Sequence, residues 1–315
     1  MADPFADGTG AVSSDGNDRQ GVEWKAPRLY KYVSLERALG ILTSGEIRMT
    51  PPRFLNDPHE LSIEINPQSL MRDFRDHMVA DGCDPTRAAG IAQRNVRGMV
   101  IDHVEHVVAQ REKIGILSLC DQPDNMLLWA HYGQEHRGAV LELDVGELIA
   151  ERTAPDDLQV LAEVEYSDER IDYIARGMPL WMTLIYKSAA WVYEREWRLM
   201  RSLTALRQKT ETVHVLDLPP ASIKRVIFGA RAMGGDEEAA IKFLQGSADH
   251  AHVAIEKAVF TSELVGLDFR SGHDFAWTMI HGEHHFGDHW REHLQWVDLE
   301  KLERAAKGEG LDPPA

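Results

Sequence analysis

The sequence predicts an α+β protein with a mixed, mostly antiparallel sheet and flanking helices. Three observations lead there. Short runs that alternate apolar and polar residues, or that are rich in β-branched residues, recur at 46–50, 139–144 and 223–228. Between them lie segments with apolar residues at helical spacing, the longest at 85–113. The strand runs do not alternate one for one with helices, which favours an α+β arrangement over a doubly wound sheet.

The elements follow in chain order. Residues 1–24 are rich in Gly, Asp, Ala and Ser without apolar periodicity, and read as a flexible acidic tail. A single α+β domain is expected over 25–262, and a His- and Trp-rich helical extension over 263–315. Leu29–Tyr32 is a strand. Ser34 caps a helix whose apolar residues Leu35, Ala38, Leu39 and Leu42 share one face, and Gly45 ends it. Pro51 and Pro52 stop the strand at 46–50, and 53–60 form a polar loop. Helices are expected at 68–80 and 85–113, the second opened by Asp84 and Pro85. Strands follow at 114–120, 139–144 and 160–166, then a helical stretch at about 180–190 and a strand at 191–200. Strands at 212–216, 223–228 and 252–257 and a helix at 236–246 complete the domain.

Composition excludes several classes. The chain has 315 residues, 43% hydrophobic and 27% charged, as in ordinary globular proteins. Its formal net charge of −17 argues against bulk binding to nucleic acid or to an anionic membrane, since phosphate contacts need clustered Lys and Arg. The 2 cysteines, Cys83 and Cys120, lack metal-ligand spacing and suggest a reducing compartment. With no signal-like leader and no long apolar span, the chain reads as cytoplasmic.

The chemistry concentrates in Cys120–Gly133. A strand feeds a polar turn, with Asp121 and Asp124 as turn and cap residues, and a short apolar segment then presents Trp129, His131 and Tyr132. These are residues of a small-molecule pocket rim, or equally of a core with a capped helix. Farther on, Glu194, Glu196 and Arg198 share one face of the expected strand, either as reactive groups or as a salt-bridge ladder. Asn56 and Asp57 before Pro58 suit a turn as well as a site. In the extension, His285, His289 and His293 would stack on one helical face, but the spacing matches no zinc-enzyme signature, and no metal is favoured.

Taken in order, certain segments resemble the bacterial family known as domain of unknown function 2971. They are Leu29–Tyr32 with Ser34–Glu36; Phe54–Pro58 with Glu60; Leu117–Cys120; Asn125–Tyr132 with Gly138; Lys187 with Trp191, Glu194 and Glu196–Leu199; and Val226–Gly229. A more distant similarity is to ADP-ribosyltransferase-like folds. It implies a first strand whose His or Arg binds the NAD ribose, a middle strand with Ser, Thr or Tyr, and a late strand with Glu. Lys31 stands at the first position, a departure from His. Ser118 falls on the middle strand, with Tyr132 as an aromatic alternative, and Glu196, or Glu194, falls on the late one.

That similarity implies NAD as substrate. Glu196 or Glu194 would face the positive charge that develops on the ribose, with Tyr132 and His131 as further catalytic candidates. Tyr30, Lys31, Ser34, Asn56, Asp57, Ser118, Trp129 and Arg198 would bind the nucleotide. Within this set, Trp129 or Tyr132 stacks on the nicotinamide and Arg198 grips the pyrophosphate. The expected function is NAD consumption or ADP-ribosyl transfer to a macromolecular acceptor, in phage defence or as a toxin. A non-catalytic nucleotide- or partner-binding sensor is the alternative, and a metal-dependent hydrolase using the C-terminal histidines is a third. No G-x-G-x-x-G or P-loop pattern occurs, which counts against a Rossmann dinucleotide site and a Walker-type NTPase.

Overall fold

A computed structural model describes residues 28–57, 65–149, 157–261 and 266–271. The expectations for the tail over 1–24, for His59 and Glu60, and for the histidines at 281–293 lie outside these residues. In chain order the elements begin β1 (Arg28–Val33), α1 (Leu35–Ser44), β2 (Glu46–Met49), α2 (Pro67–Ala80), α3 (Pro85–Arg111) and β3 (Ile114–Cys120). Then come α4 (Met126–His131), β4 (Ala139–Asp144), α5 (Val145–Ile149), β5 (Gln159–Glu163), β6 (Glu165–Tyr166), β7 (Tyr186–Lys187) and β8 (Glu196–Ser202). The chain continues with β9 (Arg207–Thr210), β10 (Val213–Asp217), β11 (Ile223–Phe228), α6 (Gly235–Gly246), β12 (Ala254–Phe260) and β13 (Leu267–Ser271).

The described residues pack as two compact units interleaved along the chain. One holds 48–57, 65–118 and 157–216; the other holds 28–47, 119–149, 217–261 and 266–271.

In the first unit β3, β8 and β5 lie side by side, with β5 and β8 antiparallel and Ala162 opposite Arg198. Ile114, Ile116, Val160, Trp181, Leu184 and Met200 form a core under these strands. Helices α2 and α3 pack as a pair, burying Leu70 and Val107 against Tyr173 and Leu180. Asp84 caps α3 through the Arg87 amide at 2.9 Å, with Pro85 in the first turn, as the sequence predicts.

The second unit carries strands in the order β13–β12–β11–β4–β1, all antiparallel except the parallel pair β11–β12. Strand β4 reads AVLELD and is buried along nearly its whole length, as a strand covered on both faces must be apolar. Its one interior charge, Glu142, is met by Arg225 at 2.7 Å and Arg28 at 3.0 Å. Helices α1 and α6 pack together. The residues 267–271 form a strand against β12 rather than part of a helical extension, because Phe269 and its neighbours complete the sheet at Ala258.

The α-helix expected near 180–190 is absent. Leu180–Leu184 and Ala189–Glu194 are 3-10 turns on either side of the short strand β7. The strand expected at 191–200 begins only at Glu196, since Glu194 ends a 3-10 turn and Arg195 takes a left-handed φ of 46°.

Helix α1 follows the sequence closely. Ser34 Oγ accepts the Arg37 amide, and Gly45 closes the helix in the left-handed region with φ 64°. The Ser34→Ala variant should lose about 1 kcal/mol of unfolding free energy in urea titration, the ordinary worth of such a cap; an unchanged midpoint would show that the cap is idle.

Candidate functional site

The first unit gathers charge in its interior. Lys187 ends β7, Ser188 caps the next 3-10 turn by accepting the Ala190 amide, and that turn ends at Glu194. The left-handed Arg195 then redirects the backbone so that Glu196 opens β8, with Arg198 on the same strand face. Lys187 Nζ donates to Glu194 at 2.5 Å and to Glu196 at 3.1 Å. Arg198 grips Glu196 through Nε at 2.9 Å and Nη2 at 3.0 Å, and its Nη1 donates to the Leu184 carbonyl. The Trp191 ring lies 4.7 Å from the Lys187 ammonium, and the Tyr166 hydroxyl accepts the Glu196 amide at 2.8 Å.

All four charged side chains are buried, Glu196 at 4% exposure and Arg198 at 1%. Burial alone pushes the Glu196 carboxyl up. Arg198 first, then Lys187 and a hydrogen bond from Ser118, outweigh that and hold it down at about 2. Glu196 is therefore an anion at neutral pH, and two cations balance two carboxylates. Burial pushes the Tyr166 phenol well above its usual value, so it stays a neutral hydroxyl. Among the described residues no group of His, Cys, Asp or Glu is arranged to hold a metal ion.

The structure sorts the sequence-predicted residues. Ser118, Glu194, Glu196 and Arg198 converge in the first unit. Arg198, expected at the pyrophosphate, donates to Glu196 and to the Leu184 carbonyl. Asn56 is exposed and Asp57 buried beside the 3-10 turn at Pro52–Phe54. Lys187, carried by the sequence only within a family pattern, proves central. Its signal was charge balance, Lys187 and Arg198 against Glu194 and Glu196, inside an aromatic and apolar stretch.

The remaining candidates belong to the second unit. Trp129 is fully buried, its Nε1 donates to the Pro123 carbonyl at 2.8 Å, and its ring meets Tyr32 edge-on at 5.4 Å. The cap of α4 is Asn125, which accepts the Leu127 and Leu128 amides, rather than Asp124. His131 is exposed at the end of α4 and touches Tyr132, which is 37% exposed. Tyr30 lies beside Arg225, Lys31 is half-buried opposite Leu141, and Ser34 is spent as a helix cap.

The depressed Glu196 carboxyl contributes stability that is present above its ordinary value of 4.5 and lost as pH falls toward 2. Urea unfolding followed from pH 5 to pH 2 should therefore bring wild type and Glu196→Gln together. A gap that stays constant across that window would show that Glu196 does not titrate there.

Comparison with known proteins gives one match. Residues 128–199 fit the model of a family described as "Protein of unknown function (DUF2971)". That stretch contains Lys187, Glu194, Glu196 and Arg198, and it supports the resemblance read from the sequence. No curated protein and no solved structure matches the chain, and the likeness to ADP-ribosyltransferase-like folds gains no neighbour.

Proposed function

We propose that the buried cluster of Ser118, Lys187, Glu194, Glu196 and Arg198 is the reactive centre of an NAD-consuming enzyme. The observation that carries this reading is the buried Glu196 carboxylate, fixed by Lys187 at 3.1 Å and by Arg198 at 2.9 Å. In the reaction the bond between ribose C1′ and the nicotinamide nitrogen breaks, and its electron pair stays with nicotinamide. An oxygen of water or of an acceptor bonds to C1′ and gives up its proton. Positive charge builds on the sugar as the leaving group departs, and a fixed carboxylate stabilises it. Lys187 and Arg198 keep Glu196 ionised and oriented for that purpose.

A second reading rests on a different observation. Glu196 already accepts bonds from Arg198, Lys187 and Ser118, which nearly fills its capacity. A module that binds a nucleotide without turning it over would tolerate such saturation. Release of nicotinamide from NAD separates the two. The enzyme reading expects turnover that falls about 100-fold or more in Glu196→Gln and less in Ser118→Ala, with both variants folded by circular dichroism. Folded wild-type protein that releases no nicotinamide, yet melts higher with NAD, would establish the binding module instead.

A further inference from the structure

The turn between α4 and β4 holds a conformation that ordinary side chains avoid. Gln134, Glu135 and His136 are three successive non-glycine residues with positive φ, at 52°, 55° and 68°. L-residues visit this region singly, and strained backbone of this kind persists where surrounding structure enforces it. The enforcement is visible: the His136 amide donates to the Trp129 carbonyl at 3.2 Å and the Arg231 amide donates to the His136 carbonyl at 2.9 Å. Gly229 is pressed so close that a Cβ there would sit 2.2 Å from the His136 carbonyl oxygen.

The imprisoned side chain is a histidine whose ring makes no hydrogen bond to a described residue. Its Nδ1 is buried and lacks a hydrogen bond, and no described residue bonds Nε2. The ring is stacked on Trp129 at 6.0 Å, nearly parallel, and Phe260, 42% exposed, lies 5.3 Å away. Burial first and then the charge of Arg231 push the imidazole below its usual value, so at neutral pH it is a neutral ring with one N–H to donate. A purely structural turn would be met by Gly or Asn at no such cost.

We infer that His136, rather than His131, is the ligand-facing histidine of the second unit, and that it takes the phosphate of a small aromatic phosphate ester such as a nucleoside monophosphate. The imidazole donates to a phosphate oxygen through Nε2, since Nδ1 is buried, Arg231 supplies the opposite charge, and the exposed Phe260 offers a face for the base. This inference stands apart from the NAD reading, which rests on the first unit.

The test is nitrogen-15 NMR of the full chain, with histidine labelled, titrated with AMP, inorganic phosphate and adenosine. AMP should move the His136 resonance saturably and leave that of His106, on α3, in place. Phosphate should do so more weakly, and adenosine least. His136→Asn retains a residue that tolerates the left-handed region, and should bind AMP about tenfold or more weakly. Absence of a saturable His136 shift with AMP would overturn the inference, as would adenosine binding as well as AMP or His136→Asn binding like wild type. Should the variant fail to fold, the wild-type titration alone decides.

Discussion

The first unit depends on mutual neutralisation of Lys187, Glu194, Glu196 and Arg198, all buried in its interior. Each ion loses several kcal/mol of hydration, roughly, on burial, and only good geometry and further hydrogen bonds recover it. The backbone is shaped accordingly. The 3-10 turn over Ala189–Glu194 and the left-handed Arg195 deliver two carboxylates to one ammonium within ten residues of chain. Arg198, held between Glu196 and the Leu184 carbonyl, fastens the start of β8 to the neighbouring 3-10 turn. Replacing such a cluster by well-packed apolar side chains is often neutral or stabilising, so stability alone is a weak reason for its presence.

The second unit solves the same problem with smaller groups. Arg225 joins Glu142 on β4 to Glu256 on β12, both at 2.7 Å, and its guanidinium lies between Tyr30 and Phe269. Lys257 on β12 donates to Glu237 at 2.5 Å and to the Ala232 carbonyl at 2.7 Å, which ties the turn before α6 to the sheet. Burial pushes Glu237 up and Lys257 down, the direction expected of a closely matched interior pair.

Local chemistry made much of the fold legible. Ser34 and Gly45 bound α1, Asp84 and Pro85 open α3, and apolar periodicity places β4 and β11. The failures share a cause. Leu180–Glu194 carries apolar residues at spacings a helix could use, but tertiary demands on Lys187 and Glu194 divide it into 3-10 turns around a two-residue strand. Trp129 resembled a pocket residue because His131, Tyr132 and the turn carboxylates lie close to it in sequence; burial is set by strands distant in sequence and cannot be read locally. Glu196 and Ser118 were legible as a pair of types, whereas Lys187 could be found only once the chain had brought it to them. His136 escaped notice because nothing in Gln-Glu-His announces a left-handed backbone.

These observations make the proposed centre a matter of charge coupling as well as of position. The most direct test is a double-mutant cycle on global unfolding with Lys187→Met, Glu196→Gln and the double variant. If Lys187 and Glu196 compensate each other in the interior, the double variant should be more stable than the sum of the single losses by about 1.5 kcal/mol or more. Additivity to within roughly 0.5 kcal/mol would contradict the account, since groups without a shared interaction behave that way.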